Sequence, residues 1–522
     1  MKNIPQLKSN GKHTLLYVDG KPFTMLSGEI HNSSSSSAKY MEEIVWPSLR
    51  PLNMNSVILP VYWENIEPVE GSLDFSLVDE IILQARRENT RLVLLWFGLW
   101  KNGGSTYIPN WVKLDTDRFF RVLDMSGRPT NTVSPLCAAA VEADAKVFRA
   151  LMAHLREFDS EEATVIMIQV ENEIGVLGPP RDFSPAAEAS FSGNIPGNMV
   201  KRFGKSGTWE QAFGAYACEY FMAYHYARAV EAIILEGKAE YPLPMYVNAW
   251  LDQFPRIPGE FPSGGPVAKV ADIWKLNAPS VEAYAPDIYV DYFRDVCDDF
   301  AAIEDNPLLI PETRATQDTV PFLLYTIGKH NAVCFAPFGI EDLCLGGTGG
   351  LSPELSKILN ISPTAFRCDV NARDNIAYAY KTVGNMQELI QSAHENGKIR
   401  GFLQYNDSGA MFDFDGLLVK VTYNGMSRFG MGMPKATGAP LAGGMIIEIG
   451  EMEFIIAGVE CRVEFLPKIG ENAVIDTLEK EDGTFENGKW LPMRVLNGDE
   501  GYYHACGAGL TLIRLKLYKK SV

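Results

Sequence analysis

The feature that most constrains this chain is an alternation running through its first two thirds. Short runs rich in Val, Ile, Leu and aromatic residues are each followed by a longer stretch with helical periodicity. The runs are Phe23 to Ile30, Ser56 to Tyr62, Arg91 to Phe97, Thr164 to Val170, Pro244 to Asn248, Val281 to Tyr289, Leu308 to Pro311 and Ala332 to Pro337. Helical spacing is carried by Lys39 to Leu52, Leu77 to Glu88, Val141 to Phe158, Trp209 to Glu236, Val267 to Leu276 and Thr319 to Lys329. Strands alternating with helices imply parallel pairing, because a parallel crossover needs a helix-length connection. Eight such units over roughly 340 residues predict an α/β fold of the (β/α)8 TIM-barrel type with insertions. A doubly wound open sheet is the competing fold, but no GxGxxG follows an early strand to support it.

Residues 175–207 are rich in Gly, Pro, Ser and Asn and read as a long loop at the barrel mouth, where loops shape substrate pockets. Asp369 to Asn396 reads as one helix ending before Gly397. Beyond it, Ile399 to Tyr405, Leu417 to Tyr423, Gly444 to Ile449, Glu451 to Ala457, Val459 to Phe465 and Leu510 to Lys516 are short β-rich runs separated by Gly, Asn and Asp. That spacing predicts an antiparallel β-sandwich or small barrel, of which the sandwich is the expected fold. The expected organisation is a barrel over residues 1–396 and a β-rich C-terminal domain over 397–522.

Composition removes several classes of function. With 47 Lys and Arg against 65 Asp and Glu, the net charge of -18 repels phosphate backbones, so nucleic acid is not an expected partner. The longest apolar runs, such as that following Arg91, fall short of the ~20 residues a membrane span needs. The N-terminal sequence has polar residues and Pro where a secretory signal has its apolar core, which predicts a cytoplasmic protein. The 8 cysteines form no CxxC pair and are expected to be buried free thiols. The 7 histidines form no HExxH, and no EF-hand or P-loop motif occurs, so neither metal nor cofactor is expected. Homo-oligomerisation is compatible with the sequence.

Active sites of (β/α)8 barrels lie at the carboxyl ends of the strands, so polar residues that close an apolar run carry the functional signal. The fourth run passes directly into Glu171-Asn172-Glu173, and the seventh into Pro311-Glu312-Thr313-Arg314. Two carboxyls aimed at one pocket form the acid and nucleophile that retaining glycoside hydrolysis needs. Here the sequence resembles a known group: Asn172-Glu173 and Glu312 are similar to the signature of the clan of retaining glycoside hydrolases. Ser27-Gly28-Glu29-Ile30-His31 looks like the first-strand motif of family 35 β-galactosidases of the bacterial type. Tyr62-Trp63-Glu64-Asn65-Ile66-Glu67-Pro68, with Glu70-Gly71 and Asp74-Phe75, looks like the second-strand motif shared with family 42. The resemblance covers about residues 15 to 345, and the later part resembles the C-terminal domain of bacterial family 35 members.

That resemblance implies Glu173 as general acid/base, Glu312 as nucleophile and Asn172 as the hydrogen-bonding partner of the sugar 2-hydroxyl. Glu171 is left as a supporting or strand-facing group. Tyr289, closing the sixth run, is a candidate donor to the nucleophile. Sugar sites combine aromatic platforms with dense polar groups, which makes Trp63, Trp96, Trp100 and Trp250 candidate platforms and Glu67, Asn248, Lys101 and His31 candidate hydroxyl ligands. After the third run the sequence reads Trp96-Phe97-Gly98-Leu99-Trp100-Lys101-Asn102-Gly103-Gly104, where the long eukaryotic members carry a cysteine- and glutamate-bearing sugar-contact motif. The expected function is exo-acting retaining β-galactosidase activity on oligosaccharides, including those of plant cell walls. The alternatives are another sugar within the same clan (β-glucoside, β-mannoside or α-arabinofuranoside) and a carbohydrate-binding protein without turnover.

Overall fold

The structure, a computed structural model, describes residues 4–11, 13–253, 255–346, 352–354, 356, 366, 368–423, 439–501 and 503–521. The eight apolar runs form parallel strands: β1 (Met25–Glu29), β2 (Ser56–Tyr62), β3 (Arg91–Lys101), β4 (Val165–Asn172), β5 (Met245–Trp250), β6 (Ala283–Ile288), β7 in two pieces (Leu309–Ile310 and Glu312–Thr313) and β8 (Cys334–Phe335). The first piece of β7 pairs with β8 and the second with β6, so the sheet closes on itself. Pro311 lies at the division, where it offers no N–H to the ladder. Side chains alternate where the pleat is regular. On β3, Val93, Leu95 and Phe97 pack in the barrel interior, while Leu92, Leu94 and Trp96 pack under the helices. A small antiparallel sheet of Gln6–Ser9, Thr14–Val18 and Lys21–Pro22 adds Leu16 and Val18 to the interior core.

Three parts of the barrel differ from the sequence reading. First, β3 runs four residues beyond Phe97, to Lys101, because a bulge between Trp96 and Lys101 absorbs the Gly98-Leu99-Trp100 segment without ending the pairing. Second, residues 175–207 contain two helices, Pro185–Ser192 and Gly197–Phe203. The first begins on Ser184, whose side chain accepts from the Ala187 N–H, with Pro185 at its first position. Third, the single helix expected over 369–396 is a 3-10 turn followed by two helices, Arg373–Asn385 and Gln387–Glu395, divided at the buried Met386. Among the described residues no helix is long and apolar enough to cross a membrane.

The C-terminal antiparallel sheets begin at Ile399. One sheet orders Ile399–Leu403, Gly443–Gly450, Glu453–Val459, Thr511–Ser521, Ala473–Glu486 and Lys489–Val495. The other orders Gly409–Phe414, Leu417–Tyr423, Cys461–Pro467 and His504–Cys506. Phe402, Ile446, Phe454, Ile456 and Leu515 of the first pack against Phe414, Val419, Val421 and Phe465 of the second, forming the sandwich core. The first sheet also lies on the barrel helix Thr319–His330. At that contact a Cβ on Gly328 would stand 2.6 Å from the Met445 Cβ and 3.1 Å from the Gly401 Cα, so the approach needs glycine.

Candidate active site

Strand register brings the polar residues together. Trp250 at the end of β5 lies beside Asp287 on β6, Asp287 lies beside Glu312 on β7, and Lys101 at the end of β3 lies beside Asn172 on β4. Above these ends is a cavity of about 340 Å3. Of the residues singled out in the sequence, Lys101, Glu173, Trp250, Tyr289 and Glu312 line it. They are joined there by Asn32, Asn102, Gln253, Asp287, Phe338 and Phe366.

Glu312 is buried, and its Oε2 accepts a hydrogen bond from the Tyr289 hydroxyl at 2.8 Å. Burial raises its carboxyl above the usual range, while the Lys101 ammonium and the Tyr289 hydrogen bond pull it back. Glu173 faces the same cavity with its backbone at φ 46, and its N–H donates to the Asn248 Oδ1 at 2.8 Å. Its carboxyl is pushed up to about 8, first by burial and then by the charge of Glu312, with Lys101 and a hydrogen bond to Asp287 acting the other way. Asp287 accepts from the Asn248 Nδ2 at 2.7 Å and is held well above the carboxylate range by burial and by Glu312 and Glu173. Glu29, buried beneath, is raised for the same reasons. Four carboxyls thus surround one ammonium, so they cannot all be ionised together.

Asn172 and Asn248 are both buried, in one amide network. The Asn172 Oδ1 accepts from the Gln169 Nε2 at 3.0 Å and the Asn248 Nδ2 at 3.1 Å, and its Nδ2 donates to the Asn102 Oδ1 at 3.1 Å. Asn248 therefore sits behind Glu173 and Asp287, bonded to both, and neither it nor Asn172 is on the cavity wall.

The structure places the remaining predicted residues elsewhere. The Trp63 Nε1 donates to the Glu67 Oε2 at 3.0 Å, and the Gly71 N–H to the Glu67 Oε1 at 2.7 Å, which fixes the turn after β2. Trp96 points to the helix layer, where its Nε1 donates to the Asp144 Oδ1 at 2.9 Å. Trp100 is likewise buried, its Nε1 donating to the Val133 carbonyl at 3.0 Å. The reason is the pleat: a tryptophan at a strand end reaches the mouth only when its turn of the alternation faces inward, and Trp96 falls on the outer set. His31 is 43% exposed and pairs with Asp342 at 2.9 Å. None of residues 175–207 lines the cavity.

Sequence reasoning missed Asn32, Asn102, Gln253 and Asp287 as cavity residues. Asn102 and Asp287 had a usable signal, since each stands at or just past the end of an apolar run. Gln253 comes from a loop that offers none. Buried oxygens without a protein donor are found on four lining residues: Asn32 Oδ1, Gln253 Oε1, Asp287 Oδ1 and Glu312 Oε1. A ligand satisfying them brings hydrogen-bond donors such as hydroxyls. Among the described residues no group of three or more His, Cys, Asp or Glu side chains is arranged to hold a metal ion.

Comparison with known proteins adds the following. A family profile described as "Domain of unknown function (DUF5597)" matches residues 376–506. No curated protein sequence matches the chain. Among solved structures, it is similar to the β-galactosidase of the psychrophilic Marinomonas ef1, at 10% identity over 71% of this chain and 61% of that one, TM-score 0.48. It is also similar to a GH42 β-galactosidase from G. stearothermophilus, at 12% identity over 70% and 57% of the two chains, TM-score 0.49. A third is the β-galactosidase of Bacillus circulans sp. alkalophilus, at 10% identity over 94% and 99%, TM-score 0.49. The chain spans 61% and 57% of the length of the first two.

Proposed function

We propose that this chain is a retaining exo-β-galactosidase that removes terminal non-reducing β-galactosyl residues from oligosaccharides, including those derived from plant cell walls. The observation that carries the reading is the unequal carboxyl pair at the ends of β4 and β7, one held near 8 beside its partner's charge and the other served by an ammonium and a tyrosine hydroxyl. At neutral pH, Glu173 carries a proton and Glu312 a charge. Glu312 attacks the anomeric carbon as the Glu173 proton passes to the leaving oxygen, giving a glycosyl-enzyme ester. Glu173, now ionised, takes a proton from water, which attacks the same carbon and releases Glu312. The Tyr289 hydroxyl holds the Glu312 oxygen in place. The clan resemblance assigns Asn172 to the 2-hydroxyl; in the fold it lies fully buried behind the cavity wall, with its Nδ2 donating to the Asn102 Oδ1, so Asn102 stands between it and the ligand. The unpartnered oxygens on four lining residues support a hydroxyl-rich ligand, and Trp250 and Phe338 offer apolar faces to its C–H surface.

The test is hydrolysis of nitrophenyl β-galactoside, β-glucoside, β-mannoside and α-arabinofuranoside by the wild type and by Glu312→Ala. The expected result is galactoside turnover that disappears in Glu312→Ala and returns, as an α-glycosyl azide product, when azide is added. Turnover of another glycoside alone would change the sugar within the same mechanism. Turnover that survives Glu312→Ala would remove the nucleophile assignment, and no turnover on any of the four would favour a binding protein.

A further inference from the structure

Behind the cavity wall lies a second carboxyl pair that the proposed reaction does not use. Asp144, on the helix Ala138–Asp159, and Glu171, on β4, are both fully buried and hydrogen-bonded to each other. Two carboxyls in contact and away from water cannot both ionise, so they share a proton. Their other acceptor positions are filled by donors from one short segment of β3. The Trp96 Nε1 donates to the Asp144 Oδ1 at 2.9 Å, the Leu99 N–H to the Asp144 Oδ2 at 2.9 Å and the Glu171 Oε1 at 3.1 Å, and the Trp100 N–H to the Glu171 Oε2 at 2.6 Å. Gly98 leaves room for the pair: a Cβ there would lie 2.4 Å from the Asp144 Oδ2 and 2.7 Å from the Glu171 Oε1.

These donors lie in the bulge where β3 loses register with β4 between Trp96 and Lys101. Past the bulge the chain turns, the Lys101 N–H donating to the Gly104 carbonyl at 2.8 Å. The turn is fastened to the end of β4, with the Asn102 N–H on the Asn172 carbonyl and the Gly103 N–H on the Glu173 carbonyl, each at 3.1 Å. It carries Lys101 and Asn102 to the cavity. The Asn102 Oδ1 is occupied by the Asn172 Nδ2, which fixes the amide and leaves its NH2 group as a donor. A buried carboxyl pair is a costly way to hold a strand, since apolar packing of the same volume is often at least as stable. What it supplies is a set of acceptors for backbone N–H groups that a bulge leaves without strand partners.

We infer that the Asp144–Glu171 pair positions the substrate-binding turn, holding the β3 bulge so that Lys101 and Asn102 face the sugar, and that Asn102 is a specificity-determining contact for it. Asp144 and Glu171 are positioning residues, since neither touches the cavity. The sugar half of this inference rests on the glycosidase reading, and the positioning half does not.

The test uses the full chain and two readouts. Amide hydrogen exchange of the peptide spanning residues 99–104 should be about tenfold faster in folded Asp144→Asn than in the wild type, as expected for the loss of a hydrogen bond. Trp96→Phe, which removes one donor and keeps most of the packing, should show a smaller increase and serves if Asp144→Asn does not fold. On nitrophenyl glycosides, Asn102→Ala should lower kcat/KM about tenfold and change the ratio of galactoside to glucoside. Glu171→Gln should lower kcat/KM by on the order of 10²-fold through misplacement of the turn. Combined with Asn102→Ala, its effect should be less than additive, because both act through one turn. Unchanged exchange in folded Asp144→Asn, or strictly additive losses in the double variant, would overturn the positioning role. An unaltered sugar ratio in Asn102→Ala would overturn the specificity role. No turnover by the wild type on any glycoside would overturn the sugar half along with the proposed function, while the exchange measurement still decides the positioning half.

Discussion

Glu171 and Glu173 are the same residue type at the end of the same strand, both with left-handed backbone, at φ 62 and 46, and they finish in opposite worlds. Glu173 faces a cavity, beside a charged neighbour and an ammonium. Glu171 lies behind the wall, every oxygen engaged by a carboxyl or a backbone N–H. The pleat alone would not separate them. Ile168 and Val170 face the helix layer and Met167 the interior, so strict alternation would turn Glu171 inward, yet it meets Asp144 on the outer side. The positive φ re-aims it. The difference teaches that residue identity sets what a carboxyl can do, and that local backbone and neighbours decide which of two identical carboxyls does it.

The contrast can be broken by substitution. The largest expected effect is Glu173→Ala on substrates with poor leaving groups, roughly 10²- to 10⁴-fold in kcat/KM. Activated nitrophenyl substrates should be spared by comparison, and thermal unfolding should show stability kept or raised, because a buried and crowded carboxyl is removed. Equal losses on both substrate types would contradict the acid role. Glu171→Ala should behave the opposite way on stability, losing about 3–5 kcal/mol in urea unfolding, because Asp144 and two backbone N–H groups lose their partner. A loss below about 1 kcal/mol would mean that the pair is not integral to the fold.

Next in size is pH. As an acid Glu173 must carry its proton, so kcat/KM should fall about tenfold per unit above about 8. Folding obeys the same sign. The folded chain holds this proton more tightly than the unfolded one, whose carboxyl titrates near 4.5, so the stabilising contribution is full below that value and is lost as pH rises through about 8. An alkaline limb that stays put in Glu173→Gln would assign it to another group. The smallest effect belongs to His31→Ala, which removes a half-exposed pair with Asp342 and should change stability by about 0–1 kcal/mol.

Much of the barrel was legible because strands covered on both faces are almost continuously apolar, and the two carboxyls were legible because each ends such a run. The faces of Trp63 and Trp96 were not, since a run apolar on both sides does not reveal which set of residues points inward. The hairpin of Ala473–Glu486 and Lys489–Val495 was missed because few of its residues are buried and charged residues interrupt its apolar positions. Its turn was nevertheless written in the chain as Asn487-Gly488, whose φ values of 49 and 76 are those of the tight hairpin turn. The bulge in β3 was hidden because it depends on Asp144, distant in sequence from the strand it holds.

The helix Thr319–His330 follows the strand that carries Glu312, and residues Thr319 to Gly328 are all buried, with the Ile399–Leu403 and Gly443–Gly450 strands lying on it. A ribosome delivers that cover after the barrel. At about 5–20 residues per second, the barrel emerges complete with one helix bare for several seconds before both covering strands arrive. Expression trimmed at residue 396 would make that interval permanent, and the expected product is aggregate, not a minimal enzyme.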